Sequence, residues 1–186
     1  YTSDATTLPE TNTFQLSVLI SDSWNMVSTP GLHPVDQNVA TWWSEKDPAS
    51  GVFRYNGGYL PVTTTTPTQG YWMKHVGANT YNTGGEWPAG GIILVPHNPI
   101  TVIGGWNLIG VYDYNVSTVD ITSNPPGIIH SPFYGYSGGY YIADTLKPGY
   151  GYWVSVPSGQ IILPSPIFKG ISKITEIINK NWGKII

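Results

Sequence analysis

Gly135-Tyr136-Ser137-Gly138-Gly139 has the Gly-x-Ser-x-Gly spacing of serine hydrolases, in which a sharp turn between strand and helix exposes the nucleophile. Here both flanks read as strands meeting at a hairpin turn, and the matching segment Tyr55-Asn56-Gly57-Gly58 has no serine. No nucleophile is expected at Ser137. His33, His75, His97 and His130 stand far apart and form no short ligand motif with Asp or Glu. Asp113, Asp120 and Asp144 lack the dense spacing of a calcium loop. The 11 carboxylates are dispersed, and a glycosidase couple among them would need a separation of roughly 5–10 Å that sequence does not set. The chain reads as a protein that is not an enzyme and requires no cofactor and no metal.

Aromatic residues are the remaining chemistry. Eight Trp and 13 Tyr can stack on sugar rings, as in many carbohydrate-binding modules. Trp42, Trp43, Tyr59, Tyr140 and Tyr141 are the candidate platforms. Trp24, Trp72, Trp106 and Trp153 recur at matching places and read instead as an inherited core. Thr63, Thr64, Thr65, Thr66 and Thr68, with Asn115 of the Asn115-Val116-Ser117 sequon, are candidate glycosylation sites.

The elements that position these residues are duplicated. Trp24-Asn25-Met26-Val27-Ser28 returns as Trp106-Asn107-Leu108-Ile109-Gly110, Gly57-Gly58-Tyr59 as Gly138-Gly139-Tyr140, and Gly70-Tyr71-Trp72 as Gly151-Tyr152-Trp153, at offsets of 81 or 82 residues. Gly91 to Pro96 closes the first copy much as Gln160 to Pro164 closes the second. The copies are therefore placed at 14–96 and 99–164, and the extra length of the first, Asn79 to Ala89, reads as a surface loop.

Short strands dominate the local reading. Asn56-Gly57 and Ser137-Gly138 are turn dipeptides that need positive φ, and 22 Gly with 16 Pro interrupt helical periods. A helix is expected over Val35 to Glu45, after Pro34 and before Asp47-Pro48, with a weaker counterpart over Val116 to Asn124. The fold class is mainly β, as two homologous β-rich units in tandem, sandwich- or barrel-like, with short helical crossovers. Residues 1–13 read as an extended arm. Residues 165–186 read as an amphipathic segment holding Lys169, Lys173, Lys180 and Lys184, four of the eight basic residues. A segment of this kind more often docks on protein than lies on a membrane, so membrane attachment is not expected.

Only 10% of residues are charged, against roughly 25% in ordinary domains, and the formal charge is −3. A surface kept wet by hydroxyls and amides can lie against sugars or its own copies without desolvating ions. Nucleic acid is not an expected partner. The chain has no cysteine, which removes disulfides and thiolate chemistry and is compatible with export.

The order Trp-Asn-Leu, Gly-Tyr, Leu-x-Pro-Gly and Gly-Tyr-Trp resembles a module of large secreted and cell-surface proteins of Gram-negative bacteria, often those using type IX secretion. Trp106-Asn107-Leu108, Gly139-Tyr140, Leu146-Lys147-Pro148-Gly149 and Gly151-Tyr152-Trp153 carry the resemblance. The first copy departs from it at Thr65-Thr66-Pro67-Thr68. The resemblance implies an extracellular or cell-surface location and no particular chemistry. The resulting expectation is an extracellular structural or adhesive subunit. It would self-assemble into a surface filament or array through residues 1–13 and 165–186. The alternative is a carbohydrate-binding module of a secreted enzyme or adhesin, with polysaccharide as partner.

Overall fold

A computed structural model describes residues 12–164. Most of the expected arm and all of segment 165–186 lie outside them, and the two assembly contacts expected there with them. The fold is mainly β, with helix among the described residues confined to Val39–Trp42 and a 3-10 turn at Thr118–Asp120.

Each copy is built on a four-stranded antiparallel sheet. In the first the spatial order is Ser23–Ser28, Gly70–His75, Val52–Tyr55, Tyr59–Val62; in the second it is Gly105–Ile109, Tyr152–Val156, Phe133–Tyr136, Tyr140–Ala143. The same strands of the repeat thus occupy the same places. Side chains alternate across each sheet, as a period of two requires. Val27, Val52, Tyr71 and Met73 join the core of the first copy, while Ile109, Phe133, Tyr152 and Val154 join that of the second.

The opposite faces of the two sheets meet each other. Met26, Leu108 and Trp153 form a third cluster there, packed by Tyr55, Trp72, Tyr134 and Tyr136. Each copy therefore keeps its own core, and a small shared one joins them. The junction is reciprocal. Ser28 N–H donates to Gly149 O at 3.0 Å, and Gly110 N–H, at the place of Ser28, donates to Thr68 O at 2.7 Å. The bridges Val27↔Tyr150 and Gln69↔Ile109 pair in the same exchanged way. Such self-complementary contacts define an approximate two-fold axis within one chain, the isologous geometry of a dimer made covalent. The glycine of each Gly-Tyr-Trp motif serves this approach: a Cβ at Gly70 would lie 2.9 Å from Leu108 C, and one at Gly151 3.0 Å from Val27 O.

Three local expectations change. The helix begins at Val39 rather than Val35, because the Gln37 side chain bonds to His33 N–H and O and Asp36 Oδ1 accepts Asn38 N–H at 2.8 Å, tying this stretch into turns. Val116 to Asn124 forms the two strands Val116–Ser117 and Thr122–Asn124 around the 3-10 turn. The segment Asn79 to Ala89 is not merely a surface loop. Strand Asn79–Asn82 pairs with Ser17–Ile20, as Gly159–Ile162 pairs with Ile100–Val102, so this strand matches the closing strand of the second copy. Tyr81 and Trp87 from the same segment are buried in the first core. Ile92–Ile93, which has no counterpart among the described residues of the second copy, pairs with Thr13–Phe14.

Candidate functional site

Two hairpin turns position the site. Gly57 and Gly138 both have φ of 69°, and the N–H groups of Asn56 and Ser137 reach Gly58 O and Gly139 O, each at 3.0 Å. Ser137 therefore sits in an exposed hairpin turn followed by strand Tyr140–Ala143, and the strand-to-helix setting of a nucleophile is replaced by a second strand. What the turns deliver is Tyr59 and Tyr140, 56% and 60% exposed, at the edge of the junction.

Around these tyrosines lie two clefts. One, of about 490 Å³, is lined by Tyr55, Tyr59, Trp106, Tyr134, Tyr140 and Trp153. The other, of about 500 Å³, is lined by Trp24, Phe53, Tyr59, Trp72, Tyr136 and Tyr140. At the offsets of the repeat each lining maps onto the other, with Phe53 in the place of Tyr134. The ring geometry is duplicated as well. Tyr55 meets Trp153 edge-on with centroids 4.8 Å apart, and Tyr136 meets Trp72 at 4.9 Å. Trp24–Trp72 and Trp106–Trp153 are both 6.3 Å apart and near perpendicular. Edge-to-face pairs of this kind lock the side chains that form the walls.

Neither lining contains an Asp, Glu, His, Lys or Arg. The ionisable groups are tyrosines, and the Tyr59 hydroxyl is pushed above its ordinary range by desolvation first and by neighbouring Tyr140 next. The clefts present aromatic faces and tyrosine hydroxyls. They can stack on a ring and accept or donate hydrogen bonds, with no carboxylate or imidazole to move a proton.

The residues expected to be platforms divide. Tyr59 and Tyr140 line both clefts. Tyr141 is exposed but lines neither, pointing to the other side of its sheet, where it lies over Gly135. Trp42 and Trp43 are corrected: at 0% and 1% exposure they belong to the first core. Trp42 packs edge-on against Trp87 and His33, its carbonyl accepts Trp87 Nε1–H at 2.8 Å, and Trp43 packs on Tyr71. Trp24 and Trp106, read as core, are 38% and 46% exposed on the outer cleft walls. Their recurrence marked a shared position without saying which face of the sheet it served. Among the candidate glycosylation positions, Thr63, Thr64, Thr66 and Asn115 are exposed, whereas Thr65 and Thr68 are buried.

The other motif residues hold the frame. Asn25 Oδ1 accepts Ser21 N–H at 2.9 Å and its Nδ2 donates to Ser21 O and Ser23 O; Asn107 repeats this with Ile103 and Gly105. Tyr71 and Tyr152, both buried, accept the N–H of Thr66 and Lys147, and desolvation raises the pKa of each. These bonds hold the turn that carries Thr68 and Gly149, whose φ values of 65° and 86° agree although one is β-branched. The first copy keeps the turn despite lacking its glycine.

Symmetry also fails at a hollow beside the junction. Arg54, Gln69, Thr101 and Asn107 are among the residues lining a polar hollow of about 330 Å³ between the copies. At the positions matching Arg54 and Gln69 stand Gly135, covered by Tyr141, and Tyr150, whose hydroxyl accepts Leu19 N–H at 3.1 Å.

The histidines remain apart. His75 is buried between Gly77 O and the Tyr81 hydroxyl, and His97 pairs with Asp113 while stacking on Tyr112. Burial lowers the pKa of His33, with Asp36 opposing. Among the described residues no three His, Asp or Glu side chains come together as a metal site, and no helix is long and apolar enough to cross a membrane. Compared with known proteins, the chain matches no family model, no curated protein and no solved structure.

Proposed function

We propose that this chain is a non-catalytic carbohydrate-binding module that works outside the cell. The observation that carries it is the pair of open clefts walled by aromatic rings, bordered by tyrosine hydroxyls and free of charged side chains. The C–H faces of sugar rings stack on such walls and their hydroxyls bond to the rim, while a surface of few ions costs little to desolvate. Location outside the cell rests on the low charge and on the motif resemblance. Binding of the full chain to a panel of neutral and acidic polysaccharides, followed by affinity electrophoresis and calorimetry, tests it. Trp24→Ala combined with Trp106→Ala is expected to weaken binding at least ~10-fold with the fold intact by circular dichroism, at about 1 kcal/mol per lost stacking contact. Failure of the unaltered chain to bind any glycan of the panel sinks the reading.

A second reading, a self-assembling structural or adhesive subunit, draws on the edge strand Tyr140–Ala143. Tyr140, Tyr141 and Ile142 are exposed there, whereas the matching edge strand Tyr59–Val62 carries Pro61, a residue that blunts edges. Light scattering of the chain and of Ile142→Lys separates the two: a concentration-dependent polymer that the lysine dissolves supports assembly, and a monomer at high concentration removes it.

A further inference from the structure

The two clefts are neighbours that share a wall. Tyr59 and Tyr140 line both, and they are each other's counterparts in the repeat, so they straddle the approximate two-fold axis. Trp24 closes one end and Trp106, its counterpart, closes the other. Resting on the sugar-binding reading, we propose that the clefts are the halves of one groove that takes a single linear oligosaccharide across the junction and admits it in either chain direction.

The physical case has three parts. A groove with a two-fold axis across its middle presents the same walls to a chain entering from either end, so the polarity of the sugar is nearly unread. The chemical difference between the halves is one hydroxyl, on Tyr134 where the other half has Phe53. A ligand that touches both halves converts the second contact into an intramolecular one, which favours a chain of rings over separate small sugars. The class that fits is a neutral β-1,4-linked glucopyranose chain. Its all-equatorial rings expose C–H groups on both faces and can sit between facing aromatic walls, and the linings hold no charged group to select an acidic sugar.

Calorimetry of the full chain with β-1,4-linked glucose oligomers of two to six units tests this. Cellobiose is expected to bind with a stoichiometry near two. Cellohexaose is expected to bind with a stoichiometry near one and at least ~100-fold more tightly. Trp24→Ala and Trp106→Ala should weaken cellohexaose by similar factors, and each should weaken one of the two cellobiose sites while leaving the other at its parent affinity. Two cellohexaose molecules per chain at the affinity of cellobiose would overturn the shared groove and leave the sugar-binding reading standing. No heat with this series, while another glycan of the panel binds, would overturn the ligand class. Failure of the whole panel defeats the sugar-binding reading and this proposal with it. Thermal midpoints of the two variants within a few degrees of the parent show that a loss of binding is not a loss of fold.

Discussion

Serine in one copy and glycine in the other, at the same place in the repeat, meet across the junction, and a double-mutant cycle can read their contact. A Cβ added to Gly110 would lie 2.2 Å from Ser28 Oγ and 2.3 Å from Ser28 Cβ, well inside the roughly 3.5–4.0 Å of ordinary contact. Neither backbone can yield easily. Ser28 N–H is held by Gly149 O at 3.0 Å, Ser28 Oγ donates to Tyr150 O at 2.9 Å, and Gly110 N–H is held by Thr68 O at 2.7 Å. Overpacking of a fixed site costs about 1–3 kcal/mol, and these ties place Gly110→Ala near the upper end. Ser28→Gly removes the clash but loses one hydrogen bond, about 1 kcal/mol, and adds about 0.5–1 kcal/mol of glycine entropy. The single changes should therefore cost about 3 and about 2 kcal/mol. The double change should cost about 2 rather than about 5 kcal/mol, a coupling of about 3 kcal/mol. In a chain of this size Gly110→Ala alone should lower the thermal midpoint by about 6–12 °C. Urea unfolding followed by tryptophan fluorescence measures all four forms. If Gly110→Ala costs the same with serine or glycine at position 28, the two residues do not meet and the reciprocal junction is wrong.

Two other predictions concern the frame. Asn25→Ala and Asn107→Ala each lose three side-chain bonds to the backbone, so each should cost about 1–3 kcal/mol in urea unfolding, by equal amounts within error; a large effect of one and none of the other would show that the repeat does not conserve this clasp. Asp47 bonds to Lys74 Nζ at 3.0 Å and accepts Ala49 N–H at 2.9 Å, and these two contacts, Lys74 first, hold its carboxyl below the ordinary range. A lowered folded pKa contributes stability above the unfolded value of about 4 that is lost as pH falls through the folded one. Asp47→Asn should therefore melt below the parent at pH 7, with the gap closing below about pH 4. A gap that stays constant down to pH 2 would refute the assignment.

The duplication, the β class and the turn positions were legible in the chain because they are local or periodic. Glycine at Gly57 and Gly138 reports a backbone angle, and alternation along Trp24-Asn25-Met26-Val27 reports two faces. Which face met the core and which met the other copy depended on how two equivalent sheets come together, and no repeat offset encodes that. For this reason Trp24 and Trp106 look like core in the sequence and stand on the cleft walls in the structure, while Trp42 and Trp43, the last residue of the short helix and its C-cap, are both buried. The segment Asn79 to Ala89 misleads for a related reason: its Gly, Asn and Thr suggest a loop, yet Tyr81 and Trp87 close the first core from it.

What the sequence determined by itself was a repeated unit with strands, hairpins and aromatic residues at fixed intervals, since these follow from backbone preferences and period. Tertiary structure alone decided that the two copies face each other about an approximate two-fold axis, with Tyr59 and Tyr140 side by side. A strand's pattern says that both of its faces are apolar, whereas the partner of each face is set by long-range packing that brings residues 81 or 82 positions apart onto one surface.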